Sequence, residues 1–186
     1  MDRKNSEKQL NPFLRNAITG LYIFAFWILL PILLAKISLS LDRKGLKKSF
    51  PWFIKTGGTL ISLISAFMLY LSIRDFSRGA GKLPITAIPP YDQIASKGVY
   101  SIWRHPVYLF YILLAAGIAL IAGSGGFLLV VLPLFSILCF IHAKIEEIWL
   151  LKKHGDVYRA YLKRTSLVCP KIRSLIQPPK SPDGGL

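Results

Sequence analysis

Residues 98–108 read Gly-Val-Tyr-Ser-Ile-Trp-Arg-His-Pro-Val-Tyr, and they join a polar, ionisable cluster to the start of a long apolar run. The run turns back at the glycine-rich segment 123–126, and its return arm ends in His142 and the pair Glu146 and Glu147. A helical hairpin of this kind brings the basic and acidic clusters to the same side of a membrane. Ionisable groups at a membrane boundary are costly and usually mark a functional site. The sequence therefore predicts that the chemistry lies here.

The chain of 186 residues is unusually apolar for a single soluble domain. Hydrophobic residues make up 53% of it, whereas soluble domains contain roughly 45–50% apolar residues even with glycine included. A bilayer core of about 30 Å requires about 20 apolar residues in a helix. The apolar residues fall into the blocks 13–41, 56–73, 107–122 and 126–143. We predict an all-α, polytopic membrane protein with about four transmembrane helices and a cytoplasmic C-terminal helical segment.

Composition divides the chain into three parts. Residues 1–82 are predicted to form an N-terminal two-helix membrane region with its flanking loops. Residues 83–171 form the core that carries the ionisable clusters, as a loop, the helical hairpin and C-terminal amphipathic helices. Residues 172–186 contain three prolines and two glycines and are predicted to be disordered. The glycines and prolines of 74–97 predict a loop with little regular structure.

The net charge of +15 at pH 7 points to a membrane surface. The basic residues fall almost entirely between or after the apolar blocks, where Lys and Arg meet anionic lipid headgroups. We expect membrane lipids and no nucleic acid as partners. The positive-inside rule places the open ends of the hairpin and the N-terminus in the cytoplasm, which indicates a protein of the cytoplasmic membrane. The first loop, 42–51, is also basic, so either the rule fails there or one of the first two blocks does not cross.

His142 and Glu146 are four residues apart, so they share one face of a helix. The same spacing fits a metal site with His105 as a third ligand, but no HExxH motif or cysteine pair supports it. The plainer interpretation of Glu146 and Glu147 is a solvated helix face. The plainer interpretation of 104–106 is a helix that begins with proline at the edge of a membrane.

Separated motifs in the second half of the chain together indicate a family. They are Gly98-Val-Tyr100, Arg104-His105-Pro106-x-Tyr108, Glu146-Glu147 and Gly155-Asp-x-Tyr158-x-x-Tyr161. In this order they resemble the isoprenylcysteine carboxyl methyltransferase and phospholipid methyltransferase family of membrane enzymes. The resemblance covers about 83–171, which would then be a methyltransferase-like core.

The resemblance implies that S-adenosylmethionine is the cofactor, held without a Rossmann fold between the hairpin helices and the C-terminal segment. The cofactor-binding residues that it implies are Tyr100, His105, Pro106, Val107, Tyr108, Glu146 and Glu147, with a weaker match at 92–95. The catalytic candidates are Arg104, His105, His142 and Glu146. Tyr158 and Tyr161 either close this pocket or anchor the chain at the membrane interface.

The resemblance also implies the reaction, which is methyl transfer to a lipophilic, lipid-like or lipidated small molecule. Carboxyl O-methylation of an isoprenylcysteine-type substrate is the leading prediction, and N-methylation of an aminophospholipid is the alternative. Isoprenylcysteine methyltransferases have an arginine four residues before the glutamate, where this chain has His142, so the substrate contact would differ. A carboxylate acceptor needs no base, whereas an amine needs a group such as His105 or His142 to accept its proton.

Two functions without methyl transfer also fit the residues. The first is a non-catalytic membrane scaffold whose basic segments bind anionic lipid. The second is a metal-binding membrane protein built on His142 and Glu146. The sequence does not predict the oligomeric state.

Overall fold

The computed structural model describes residues 12–81, 83–84 and 92–167. Its α-helices are α1 (Pro12–Tyr22), α2 (Leu30–Leu41), α3 (Trp52–Ala80), α4 (Pro106–Ala122) and α5 (Leu132–Arg164). Shorter π-helical segments span Ile23–Leu29, Asp42–Leu46 and Phe127–Val131, and a 3₁₀ turn spans Gly98–Ser101. The described residues contain no strand, which confirms the predicted all-α class. The predicted disordered tail, 172–186, lies outside the described residues.

Helix length and composition confirm a polytopic membrane protein. Three stretches are long and apolar enough to cross a bilayer, namely Gly20–Leu46, Trp52–Ala80 and Phe127–Arg164. Helix α4 has 17 residues, which at ~1.5 Å per residue gives about 26 Å, close to the ~30 Å of a bilayer core. The last stretch has 38 residues, more than a bilayer needs, so it continues beyond the membrane.

Two apolar helical stretches each contain a proline, and in both a wider, π-helical segment precedes the proline. Pro31 is the second residue of α2 and follows the π-helical segment Ile23–Leu29. Pro133 is the second residue of α5 and follows the π-helical segment Phe127–Val131. Proline cannot donate a backbone hydrogen bond, and its ring crowds the preceding turn. A π-helical bulge accommodates both effects without ending the helix.

Helices α3 and α4 form the largest helix–helix interface of the described residues. Their backbones meet at Gly58 and Gly117, where a Cβ atom on Gly58 would lie 2.8 Å from the Gly117 carbonyl oxygen. Small residues allow this close approach between membrane helices. The Ser62 hydroxyl lies at the same crossing and donates to the Gly58 carbonyl over 2.9 Å.

The first loop packs against the hairpin turn at one end of the bundle. The Asp42 carboxylate accepts hydrogen bonds from the Ser124 hydroxyl (2.5 Å) and from the Gly126 backbone N–H (2.8 Å). The Lys48 N–H donates to the Gly123 carbonyl over 2.8 Å. Four helices that alternate in direction place these two connections together. The basic loop 42–51 therefore lies beside the charge-free turn, at the same end of the bundle.

The predicted irregular loop is shorter than expected, because α3 continues to Ala80 and ends at Gly81 with φ of +68°. The prediction that 74–80 lacks regular structure was wrong. Asp75 accepts a hydrogen bond from the Val99 N–H over 3.0 Å, and Phe76 is buried. Tertiary contacts thus stabilise a charged extension of α3 that its composition alone does not predict.

Helix α5 bends at Gly155, where φ is +54° and ψ is −124°. Only glycine adopts this backbone conformation readily. The bend turns the last part of the helix back, so that Tyr158 and Tyr161 pack against Leu150 in one buried cluster.

Candidate functional site

A cleft opens where α4 begins, at the end of the bundle opposite the contact between Asp42 and Ser124. It holds about 600 Å³ of empty space, including its open mouth. The 3₁₀ turn, the first turn of α4 and the middle and bent end of α5 supply most of its wall. The lining residues are Phe76, Pro84, Ile94, Ala95, Tyr100, Arg104, His105, Val107, Tyr108, Glu146, Leu150, Tyr158 and Tyr161.

Most of the residues predicted for the site meet in this cleft, and three lie directly behind its wall. Pro106 is the first residue of α4, and its side chain is fully buried. Glu147 pairs with Arg104, and His142 contacts Tyr108. Of the predicted segment 92–95, the last two residues line the cleft, whereas the first forms an exposed ion pair with Lys153.

Three lining residues were not predicted from the sequence, namely Phe76, Pro84 and Leu150. Leu150 follows Glu146 by four residues and so shares its helix face. This spacing in the sequence could have predicted that Leu150 lines the cleft. Phe76 lies in the segment 74–97, for which the sequence predicts a loop. Its side chain reaches the cleft because α3 continues to Ala80. We find no sequence signal for Pro84.

Arg104 connects the start of α4 with α5 and with the residues that follow it. Its Nε lies 2.8 Å from Glu147 Oε1, and its guanidinium donates to the Leu162 carbonyl over 3.1 Å. Its backbone N–H donates to the Ser166 carbonyl over 2.9 Å. These contacts hold the end of α5 against the start of α4. Lys144 reaches the other oxygen of Glu147 at 2.9 Å.

His105 lies between the two carboxylates. Its Nδ1 is 3.3 Å from Glu146 Oε2, and its Nε2 is 3.6 Å from Glu147 Oε1. Burial disfavours the charged imidazolium, but the two carboxylates outweigh that effect and raise the pKa of His105 above its ordinary value. The site therefore favours an imidazolium that is nearly enclosed, with both nitrogens able to donate.

A second hydrogen-bond network connects α4 with α5. The Tyr108 hydroxyl donates to Glu146 Oε1 over 3.2 Å and lies 2.9 Å from His142 Nδ1. The same nitrogen of His142 is 3.7 Å from Glu146 Oε1. Glu146 thus joins His105 on one oxygen to the Tyr108 and His142 network on the other.

Tyrosines from the bent end of α5 close one side of the cleft. Tyr158 and Tyr161 are only 1% and 5% exposed, so they are part of the wall rather than exposed anchors. The Tyr161 hydroxyl donates to the Tyr100 carbonyl over 2.8 Å. Burial raises the pKa of Tyr100 well above its ordinary value, so its phenol stays neutral. The rings of Phe76 and Tyr100 pack 5.7 Å apart.

Unsatisfied polar atoms indicate that the cleft suits a charged ligand. Within the described ranges, His105 Nε2 is buried and has no hydrogen-bond partner, since Glu147 Oε1 is too distant at 3.6 Å. Arg104 Nε and Glu147 Oε1 also lack an aligned partner, although they lie at ion-pair distance from each other. A ligand carboxylate would satisfy His105 Nε2. Among the same residues, no group of three His, Cys, Asp or Glu side chains is arranged to hold a metal ion.

Comparison with known proteins gives one finding. The family model for phospholipid methyltransferase matches residues 54–157, which is more than half of the chain. The matched segment includes most of α3, all of α4 and the part of α5 that carries His142, Glu146 and Glu147. No curated protein and no solved structure matches the chain.

Proposed function

The chain belongs to the phospholipid methyltransferase family of membrane enzymes that act on lipid-like substrates, and we propose that it methylates the amine of an aminophospholipid with S-adenosylmethionine as the methyl donor. The observation that carries the proposal is the cleft, in which a buried imidazole, a buried carboxylate and an aromatic wall meet at the start of α4. By the positive-inside rule, this end of the bundle faces the cytoplasm.

The residues of the cleft fit the charges of S-adenosylmethionine. His105 Nε2 would bind its carboxylate, because this buried donor has no hydrogen-bond partner among the described residues. Glu146 would bind its ammonium group, and the rings of Tyr100 and Tyr158 would pack against its adenine. When bound, S-adenosylmethionine supplies a methyl group whose bond to sulfur breaks as the bond to the acceptor nitrogen forms.

The network behind Tyr108 supports an amine as the acceptor. An amine must lose a proton when it is methylated, so the site needs a group that accepts this proton. His142 is such a group, and Glu146 lies 3.7 Å away to balance the positive charge that forms. Carboxyl O-methylation of an isoprenylcysteine-type acceptor needs no such base, and His142 here replaces the arginine that the resemblance leads one to expect.

Binding of S-adenosylhomocysteine to the detergent-purified protein, measured by calorimetry, tests the cofactor. We expect micromolar affinity for the wild type. We expect Glu146→Gln to weaken binding by about 10- to 100-fold, because a charge-assisted hydrogen bond contributes about 1.5–3 kcal/mol. Asp156→Asn is the matched control, because this carboxylate is exposed and pairs only with its helix neighbour Arg159 at 3.2 Å among the described contacts.

The results separate the proposal from its rivals. Folded wild-type protein that does not bind S-adenosylhomocysteine would contradict the proposal and would leave the lipid-binding scaffold as the better account. Equal binding by the wild type and Glu146→Gln would remove Glu146 from the cofactor site. Loss of binding in Asp156→Asn would mean that the effect is not specific to the cleft.

A further inference from the structure

The first membrane helix contributes a side chain to the site. Tyr22 is the last residue of α1 and lies well before the matched segment, 54–157. Its hydroxyl is 3.4 Å from His142 Nε2, across 120 residues of sequence. Its ring also stacks on the imidazole, with centroids 5.9 Å apart and planes 25° apart.

The hydrogen bonds around His142 assign its tautomer. An ionised carboxylate can only accept hydrogen bonds, so the Tyr108 hydroxyl donates its proton to Glu146. His142 Nδ1 must then carry the proton that it shares with the Tyr108 oxygen at 2.9 Å. This leaves Nε2 with a free electron pair, which accepts a hydrogen bond from the Tyr22 hydroxyl.

Ring packing holds the imidazole in that orientation. The Phe26 ring, one helical turn after Tyr22, lies 5.3 Å from the His142 ring. The Tyr108 ring meets His142 edge-on at 5.6 Å. The His142 side chain nevertheless remains 27% exposed, so an acceptor in the membrane has access to it.

We propose that Tyr22 is a positioning residue, which acts together with Tyr108 and Glu146 to hold His142 with Nε2 unprotonated and oriented to accept the proton of the amine. This inference rests on the proposed function. The acceptor nitrogen forms its bond to the methyl carbon, and the electron pair of the broken carbon–sulfur bond returns to sulfur. The amine proton goes to Nε2, from which the Tyr22 hydroxyl turns away as the acceptor enters. The part of the chain before the matched segment thereby becomes a component of the active site.

The experiment compares Tyr22→Phe with Tyr70→Phe by two readouts. Tyr70→Phe is the matched control, because it removes the same hydroxyl from a membrane helix at a position that is 61% exposed. The first readout is the imidazole ¹⁵N spectrum of histidine-labelled protein, in which His142→Gln assigns one of the three histidines. The second is turnover with phosphatidylethanolamine in nanodiscs, measured beside the affinity for S-adenosylhomocysteine.

We expect Tyr22→Phe to shift the His142 resonances away from a single tautomer and to leave the other two histidines unchanged. We expect kcat to fall about tenfold, a fraction of the ~10²–10⁴-fold that a general base contributes, with unchanged affinity for S-adenosylhomocysteine. In a His142→Gln background, Tyr22→Phe should have no further effect on kcat, because the two residues act as one unit. Tyr70→Phe should match the wild type in all of these measurements.

Three outcomes would overturn the inference, and they identify which claim has failed. An unchanged His142 spectrum in Tyr22→Phe would show that Tyr22 does not fix the tautomer. A changed spectrum with unchanged kcat, in a wild type that binds S-adenosylhomocysteine and turns over, would refute the positioning role and leave the proposed function standing. A wild type that binds no S-adenosylhomocysteine would refute the proposed function and this inference together.

Discussion

At the scale of single residues, the site depends on charges that compensate one another away from water. His105 faces Glu146 at 3.3 Å and Glu147 at 3.6 Å, and Glu147 also meets Arg104 and Lys144. Both glutamates are buried, with 8% and 6% exposure. Removing one member of a buried ion pair is costly, because the charge that remains loses its compensation. These residues therefore act as a unit.

The raised pKa of His105 predicts a definite pH dependence of stability. A group whose pKa is higher in the folded protein stabilises it fully below the unfolded value of about 6.5. That contribution disappears as the pH rises through the higher folded value. The melting temperature of the wild type should therefore fall relative to His105→Gln as the pH rises above about 6.5. Differential scanning fluorimetry in detergent, without cofactor, measures this difference at each pH.

Titrating groups outside this cluster affect both proteins alike, so only the difference between the two melting temperatures is informative. A constant difference would mean that folding does not change the proton affinity of His105. A difference that grows in favour of the wild type with rising pH would mean that burial outweighs the carboxylates and lowers the pKa. Either result would contradict the ion-paired imidazolium described here.

At the scale of structural elements, the contact between the first loop and the hairpin turn holds the bundle together at the end opposite the site. A Cβ atom on Gly125 would overlap the Leu46 carbonyl oxygen, which is backbone and cannot move aside cheaply. We expect Gly125→Ala to lower the melting temperature by several degrees, whereas Gly57→Ala should be neutral or stabilising. Gly57 is a helical position where an added Cβ atom would have no neighbour within 4 Å, and alanine is the better helix former by about 1 kcal/mol.

Thermal unfolding of both variants in detergent is the measurement. Equal melting temperatures for Gly125→Ala and Gly57→Ala would show that the loop and the turn do not pack as described. The result would also bear on the order of the helices, because this contact pairs the two connections that alternating helices bring to one end.

The sequence predicted the hairpin and the meeting of its two polar ends, because a short turn between two apolar runs leaves them no other arrangement. The motif order then placed Tyr100, His105 and Glu146 together. Periodicity did not show that α3 continues to Ala80, because that extension depends on the hydrogen bond from Val99 to Asp75. The contact of Tyr22 with His142 was not predicted for a similar reason. Hydropathy indicates that a helix crosses a membrane, but it does not indicate which neighbouring helix that helix packs against.

At the scale of the whole molecule, the two ends of the helix bundle differ in structure. One end carries the contact between the first loop and the hairpin turn, and the other carries the cleft and its ionisable groups. Basic residues occur at both ends, but most of them fall in the segments that precede α1, join α3 to α4 and follow the hairpin. The positive-inside rule therefore favours the end with the cleft as the cytoplasmic one. The cleft lies where α5 continues past the length that a bilayer needs. Under the proposed function, a lipid headgroup and a water-soluble methyl donor would meet there.

The most direct test of this account is methyl transfer itself. Wild-type protein in nanodiscs of phosphatidylethanolamine and phosphatidylglycerol would receive methyl-labelled S-adenosylmethionine, with a prenylcysteine analogue added in a parallel sample. Mass spectrometry would then locate the label, with Glu146→Gln as the inactive control. The account predicts label on the amine of phosphatidylethanolamine with the wild type alone. Label on the prenylcysteine carboxylate only, or no label from protein that binds S-adenosylhomocysteine, would contradict it.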